Sequence, residues 1–247
     1  PPGYFGDGAR ADFKANREKS IAAIKKFFDD ARIYNLTKNP AKRNIRLQAT
    51  RGLFEGSQNL YIVANEAKEI VESVLWAKDA GIKKIVLVGA KECLPVVDFI
   101  KQHHIPVILY RTHDLPSYAD GDTEYAYKLP SILTKAGITV AISYYGDMEV
   151  FHSRNIPFTA GTTAAYGLNK EEALQLITLN AAKIIGVDKT TGSLEAGKDA
   201  TFIISNGDIL DMRTHQVTAA FIKGKEVSLN DKQKELYQKY MVKYNLK

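Results

Sequence analysis

The sequence predicts an α/β protein with a parallel sheet. Between residues 59 and 145 it alternates short apolar runs rich in β-branched residues with longer segments of helical periodicity. The runs are continuously apolar rather than alternating with polar residues, which is typical of strands buried on both faces. Helices between such strands imply right-handed parallel crossovers.

Each element follows from its local pattern. The amino-terminal part predicts a helix over residues 11–34, a break at Asn39-Pro40 and a second helix over residues 41–54. The apolar runs predict strands over residues 59–64, 84–88, 106–110 and 138–145. The segments between them predict helices over residues 65–80, 92–104 and 124–136.

The last third of the chain changes character. Asn169, followed by Glu171 and Glu172, predicts the start of a helix over residues 169–185. A turn-rich β segment follows, and residues 231–244 predict a terminal helix that docks through one apolar face (Leu236, Tyr237, Tyr240, Met241, Tyr244). These patterns divide the chain at residues 1–186, 187–230 and 231–247.

Composition narrows the functional classes. The chain is 45% hydrophobic and 25% charged, so it can bury a full core. Its formal charge of +6 is scattered among acids and forms no basic stripe with interleaved aromatics, so we expect no nucleic-acid partner. No apolar run approaches the roughly 20 residues of a membrane span. A single cysteine, Cys93, excludes internal disulfides and cysteine-based zinc sites.

The start of the chain has neither a methionine nor the charged-then-apolar order of a signal peptide. We therefore expect it to be processed, trimmed or incomplete at this end.

The strand predicted over residues 138–145 ends on an acid. Gly137 and Gly146 bound the run, and Asp147 follows directly. A carboxylate just past a buried parallel strand lies where α/β proteins place their chemistry. Asp is also a preferred residue before a turn or helix, so local sequence alone leaves both interpretations open.

A family resemblance lies in residues 167–204, GLNKEEALQLITLNAAKIIGVDKTTGSLEAGKDATFII. This stretch resembles the carboxyl-terminal segment of the amidohydrolase superfamily, and the chain from about Asn44 onward is similar to its imidazolonepropionase-like branch. The resemblance implies a (β/α)8 barrel with a metal site at the carboxyl ends of its strands. It makes this chain the second half of such a barrel, strands five to eight, followed by a small β-sandwich segment and the terminal helix.

The resemblance also assigns site residues. It aligns Asp147 with the eighth-strand aspartate that binds metal and acts as general base. The fifth-strand histidine of the family falls near Val63, with Asn65 close behind, and the sixth-strand histidine falls near Val88. Valine has no lone pair, so neither valine can bind a cation. The His-x-His pair of the family's first strand is absent from this sequence.

Further candidates for the same barrel mouth follow the last two strands. Arg111 and His113 come after the seventh strand, and His152 and Arg154 come shortly after Asp147. His113 could line a pocket or bond to loop backbone. Arg154 could hold a carboxylate or phosphate, or pair internally with an acid such as Glu149.

Two hypotheses follow from the resemblance. In one, the chain belongs to a metal-dependent hydrolase of C–N bonds in cyclic or other non-peptide amides, with zinc, manganese or iron held mainly by the missing half. In the other, the barrel has lost its metal and acts as a binding or structural subunit. Both require a polypeptide that supplies the early strands, or a homo-oligomer, because half a barrel exposes its sheet edges. The resemblance also suggests an extracytoplasmic location.

Overall fold

The computed structural model describes residues 7–37, 42–110, 112–146 and 148–246. The amino-terminal part contains helices α1 (Asp7–Leu36), α2 (Ile45–Gln48) and α3 (Arg51–Glu55). The long first helix is confirmed, whereas the break at Asn39-Pro40 lies outside the described residues. The second predicted helix was wrong as one element. It is interrupted at Thr50, whose hydroxyl donates to the Leu47 carbonyl at 2.7 Å and replaces a helical hydrogen bond.

A four-stranded parallel sheet forms the centre of the molecule. In chain order its elements are β1 (Leu60–Glu66), α4 (Ala67–Asp79), β2 (Ile85–Glu92), α5 (Val97–Gln102), β3 (Val107–Leu109), α6 (Tyr125–Lys135) and β4 (Val140–Ile142). The strands are ordered β1-β2-β3-β4, and every neighbouring pair is parallel. The predicted α/β class with a parallel sheet is therefore confirmed. The last strand is shorter than predicted, because the Ile138 N–H still donates to the Leu133 carbonyl at the end of α6.

Three helices follow β4: α7 (Ile156–Ala165), α8 (Lys170–Gln175) and α9 (Leu179–Ile185). The start predicted at Asn169 is confirmed by a reciprocal pair of hydrogen bonds with Glu172. The single helix predicted over residues 169–185 was wrong, because Thr178 leaves the helical conformation with φ −124° and ψ −93°. The resulting bend lets the Asn180 side chain donate to the Val140 carbonyl of β4 at 3.0 Å.

The two faces of the parallel sheet are covered unequally. Helices α4, α5 and α6 bury one face in the main core, through side chains such as Ile70, Val74, Ile100 and Leu133. On the opposite face only a small cluster forms, in which Ala181 and Ile184 of α9 pack against strand residues (Val86, Ile108, Ala141). Alternation places Val63 on this second face, where it is 54% exposed.

A second sheet, antiparallel, contains β5 (Phe202–Ser205), β6 (Val217–Ile222) and β7 (Lys225–Glu226). Phe202 and Phe221 stack across it with ring centroids 4.8 Å apart. This agrees with the turn-rich β segment predicted from sequence. The terminal helix α10 (Lys232–Lys243) also forms, but it has no buried residue and its Tyr237 and Tyr240 remain exposed, so the expected docking is absent among the described residues.

None of the described helices has the length and apolarity required to cross a bilayer.

We predict that Leu133→Ala lowers the free energy of unfolding by about 2–5 kcal/mol, because it leaves a cavity in the main core. Leu133 is fully buried on α6, whereas its neighbour Ile132 is 39% exposed on the same helix. Ile132→Ala is therefore the matched control and should lower the free energy of unfolding clearly less. Urea denaturation measures both, and equal losses would contradict the assignment of this helix face to the core.

Candidate functional site

The backbone is unusual where β1 and β2 end. Gly89 has a φ of 91° and Ala90 a φ of 50°, and the pairing of β1 with β2 shifts register between Ala64 and Glu66. A left-handed conformation is unfavourable for a residue with a Cβ, and such strained backbone clusters at functional sites. The carboxyl end of a parallel sheet is also where α/β proteins bind ligands. These observations mark this end of the sheet as the candidate site.

Asn65 lies in this irregular segment. Its Oδ1 atom is buried and has no hydrogen-bond partner within the described part of the chain. A Cβ placed on Gly89 would lie 2.5 Å from this oxygen, so the missing side chain of Gly89 makes room for the amide. A buried acceptor without a donor costs roughly 1–3 kcal/mol, which a ligand or a further polypeptide segment bearing an N–H or O–H group would recover.

A pair of tyrosines stands beside Asn65. The Tyr110 ring lies 3.1 Å from the Cβ position of Gly89 and stacks on Tyr145, with centroids 5.2 Å apart and planes at 8°. Burial raises the pKa of Tyr110, and the neighbouring Tyr145 raises it further, so the Tyr110 phenol stays neutral near pH 7. Tyr145 remains 61% exposed and offers a flat aromatic surface. Neither tyrosine was predicted as a site residue, although each is the last residue of a strand predicted from sequence.

The two valines flagged by the resemblance are direct neighbours. Register pairs Val63 of β1 with Val88 of β2, and alternation turns both side chains to the face opposite α4–α6. Two positions that the resemblance aligns with metal-binding histidines therefore present an apolar surface here. Within the described residues, no cluster of three or more His, Cys, Asp or Glu side chains could hold a metal ion. The described residues thus do not fit a metal centre.

The other predicted site residues that the structure describes do not gather around Asn65. The His113 ring packs edge-on against Tyr127 of α6, with centroids 6.1 Å apart, and its Nε2 lies 2.6 Å from the hydroxyl of Thr162 on α7. Burial lowers the pKa of His113, which favours the neutral imidazole. These contacts connect His113 to the helices rather than to Asn65. Its neighbour Asp114 forms an ion pair with Lys91 at 3.0 Å.

The segment after β4 carries the remaining candidates. The Nδ1 atom of His152 lies 3.7 Å from a Glu149 carboxylate oxygen, and its ring lies 6.3 Å from Tyr144. Arg154 is exposed and makes no ion pair with the described residues. Arg111 and Asp147 lie outside the described residues.

Comparison with known proteins supports the resemblance. Residues 127–227 match the model of the amidohydrolase family. An imidazolonepropionase of Syntrophobacter fumaroxidans is 34% identical over 76 residues, which cover 30% of this chain and 18% of that protein. The similarity to the amidohydrolase superfamily and its imidazolonepropionase-like branch is thereby confirmed.

Solved structures share the fold. An amidohydrolase from Thermotoga maritima superposes with a TM-score of 0.73 at 21% identity, covering 91% of this chain and 61% of that one. A zinc-bound adenosine deaminase from Xanthomonas campestris superposes with a TM-score of 0.51 at 16% identity, covering 81% of this chain and 54% of that one. The chain therefore spans less than two thirds of the length of these relatives.

We predict that Gly89→Ala destabilises the protein more than Gly137→Ala. Both glycines have a positive φ (91° and 87°), so alanine costs about 1–2 kcal/mol of backbone strain at either position. Only at Gly89 does the new methyl group also collide with Asn65 and Tyr110, whereas nothing lies within 4 Å at Gly137. Urea denaturation of the two variants measures the difference. Equal losses would show that Asn65 and Tyr110 are not held against Gly89.

Proposed function

We propose that this chain is the carboxyl-terminal part of an amidohydrolase-superfamily protein, in which β1 to β4 are strands five to eight of a (β/α)8 barrel. The match of residues 127–227 to the family model carries the proposal. The parallel order β1-β2-β3-β4, with α4, α5 and α6 on one face and α9 covering part of the other, supports it. A closed barrel would bring the partly open face, including Val63, into its interior.

The activity that this membership supports is hydrolysis of a C–N bond in a cyclic or other non-peptide amide. Asp147 would act as the general base that takes a proton from the attacking water. Its position in sequence, five residues after the end of β4, agrees with a site at the carboxyl end of the sheet. Asn65 would bond to the substrate amide, and the exposed face of Tyr145, on the side away from Tyr110, would cover one side of it.

A divalent metal such as zinc, manganese or iron is implied by the family and would stabilise negative charge on the amide oxygen. The Val63–Val88 pair does not fit this role, so the ligands other than Asp147 would have to come from the missing strands. We therefore assign no part of the metal centre to the described residues.

The same valines favour a second candidate function. A site whose paired metal positions are both apolar can still bind a ligand through Asn65 and the tyrosine stack. In this alternative the barrel is a catalytically degenerate binding or structural subunit of a larger assembly.

Both functions require a complement to this chain. β1 forms an edge of the sheet, and Tyr61 and Val63 on its open face are 44% and 54% exposed. An exposed apolar edge strand of this length is a site for strand addition or aggregation. We propose that a polypeptide supplying the early strands, or a second copy of the chain, covers it.

We predict that Asp147→Asn in the completed assembly lowers C–N hydrolase activity by about 100-fold or more, because the amide cannot accept the proton. Asp120→Asn, the same change in an exposed loop, is the control and should have no effect. The assays use a panel of cyclic amides, together with metal analysis of the same samples. Activity retained in Asp147→Asn would exclude Asp147 as the base, and the absence of stoichiometric metal would favour the binding subunit.

We predict that the isolated chain is not a monodisperse monomer in light scattering, because its open sheet face promotes association. Introducing charge at the edge with Val63→Lys should raise the monomer fraction. Leu115→Lys, in a loop where Leu115 is 75% exposed, is the control and should leave the distribution unchanged. A monodisperse wild-type monomer would contradict the need for a complement.

A further inference from the structure

A large open cleft lies at the amino ends of the strands, opposite the candidate site. Its volume is about 1290 Å³, and its walls come from the segments that precede β1, β2, β3 and β4 and from the end of α9. No aspartate or glutamate among the described residues lines it. Its basic lining residues are Lys78, Lys83, Lys84, Lys101, His103, His104 and Lys183.

The positive charge of this cleft is only partly offset within the described chain. Lys78, Lys101 and Lys183 lie in the last turns of α4, α5 and α9, where each helix end contributes about half a negative charge. Three such ends offset well under half of the charge of five lysines. None of these lysines forms an ion pair with a described residue. The pKa of His103 is lowered by burial and then by Lys78 and His104, as a positive environment requires.

The cleft continues into the open edge of the sheet. Ser57, Asn59 and Tyr61, which lead into β1 and begin it, line one of its walls. A strand added in parallel beside β1 would begin at this end of the sheet, so the residues before that strand would pass through the cleft.

The opposite edge of the sheet is not equivalent. The Ile142 N–H of β4 donates to the Leu176 carbonyl at 3.2 Å, and the Val140 carbonyl accepts from the Asn180 side chain. Two of the outward polar groups of β4 are thus already paired within this chain. Strand addition is directed to β1.

We propose that the cleft binds an acidic polypeptide segment, which immediately precedes the strand that pairs with the free edge of β1. The proposal rests on the complement invoked under the proposed function and specifies its chemistry. A polypeptide suits the cleft better than a small anion does, because small-molecule pockets of about 300–1,000 Å³ are smaller and more enclosed. The carboxylates of the segment would face the five lysines, and its backbone would continue into the strand that pairs with the edge of β1.

Binding of a fluorescent glutamate oligomer to the full chain tests this proposal by anisotropy, with a glutamine oligomer and inorganic phosphate as comparison probes. The wild type should bind the glutamate oligomer with an affinity that falls as salt rises. The triple change Lys83→Gln, Lys84→Gln and Lys183→Gln should weaken binding about tenfold, since each exposed ion pair contributes a modest amount.

The matched control removes the same charge from α10, through Lys232→Gln, Lys239→Gln and Lys243→Gln, and should bind like the wild type. Circular dichroism checks that both triple variants fold, and the single reversal Lys84→Glu gives the same test with one change. Any of three outcomes would overturn the proposal. The wild type does not bind the glutamate oligomer, both triple variants weaken binding equally, or phosphate at equal charge displaces the oligomer. The measurement involves neither metal nor hydrolysis, so its failure leaves the proposed activity to be judged separately.

Discussion

The need to cover both faces of a short parallel sheet determines most of this structure. Strands of continuous apolar sequence expose hydrophobic surface on both sides, and α4–α6 remove only one side from water. On the other side α9 covers the amino half of the strands through Ala181 and Ile184, and the carboxyl half remains open. Three features accompany this incomplete coverage: the bend at Thr178, the partly paired edge of β4 and the exposed face of β1.

The elements that were predicted correctly are those determined by local pattern. The strands followed from their β-branched runs, and the Asn169 cap followed from residues within one helical turn of it. The bend at Thr178 could not be predicted this way. The bend brings Asn180 into contact with Val140, which lies 40 residues away in the chain, and a local pattern does not show such a contact.

The candidate site could likewise be predicted only in part from local sequence. Asn65 and the valines could be singled out by alignment with a family pattern, but their meaning depends on strand register. Register alone shows that Val63 and Val88 are adjacent, so two substitutions that look independent in sequence make one apolar patch. The Tyr110–Tyr145 stack joins the ends of β3 and β4 and depends on the parallel order of these strands. Neither tyrosine stands out in sequence among the 13 tyrosines of the chain.

The asymmetry of the two sheet edges also bears on what could complete the proposed barrel. Two copies of this chain could close an eight-stranded ring only if β1 of each copy paired with β4 of the other. That pairing would displace the hydrogen bonds that Leu176 and Asn180 make to β4, each of which contributes on the order of 1 kcal/mol. It would also leave two lysine-lined clefts at the same end of the ring, because parallel closure places the amino ends of all strands together. A complement with its own sequence would meet the first cost as well when it closes the ring, but it avoids the second, since it can place acidic side chains in the cleft.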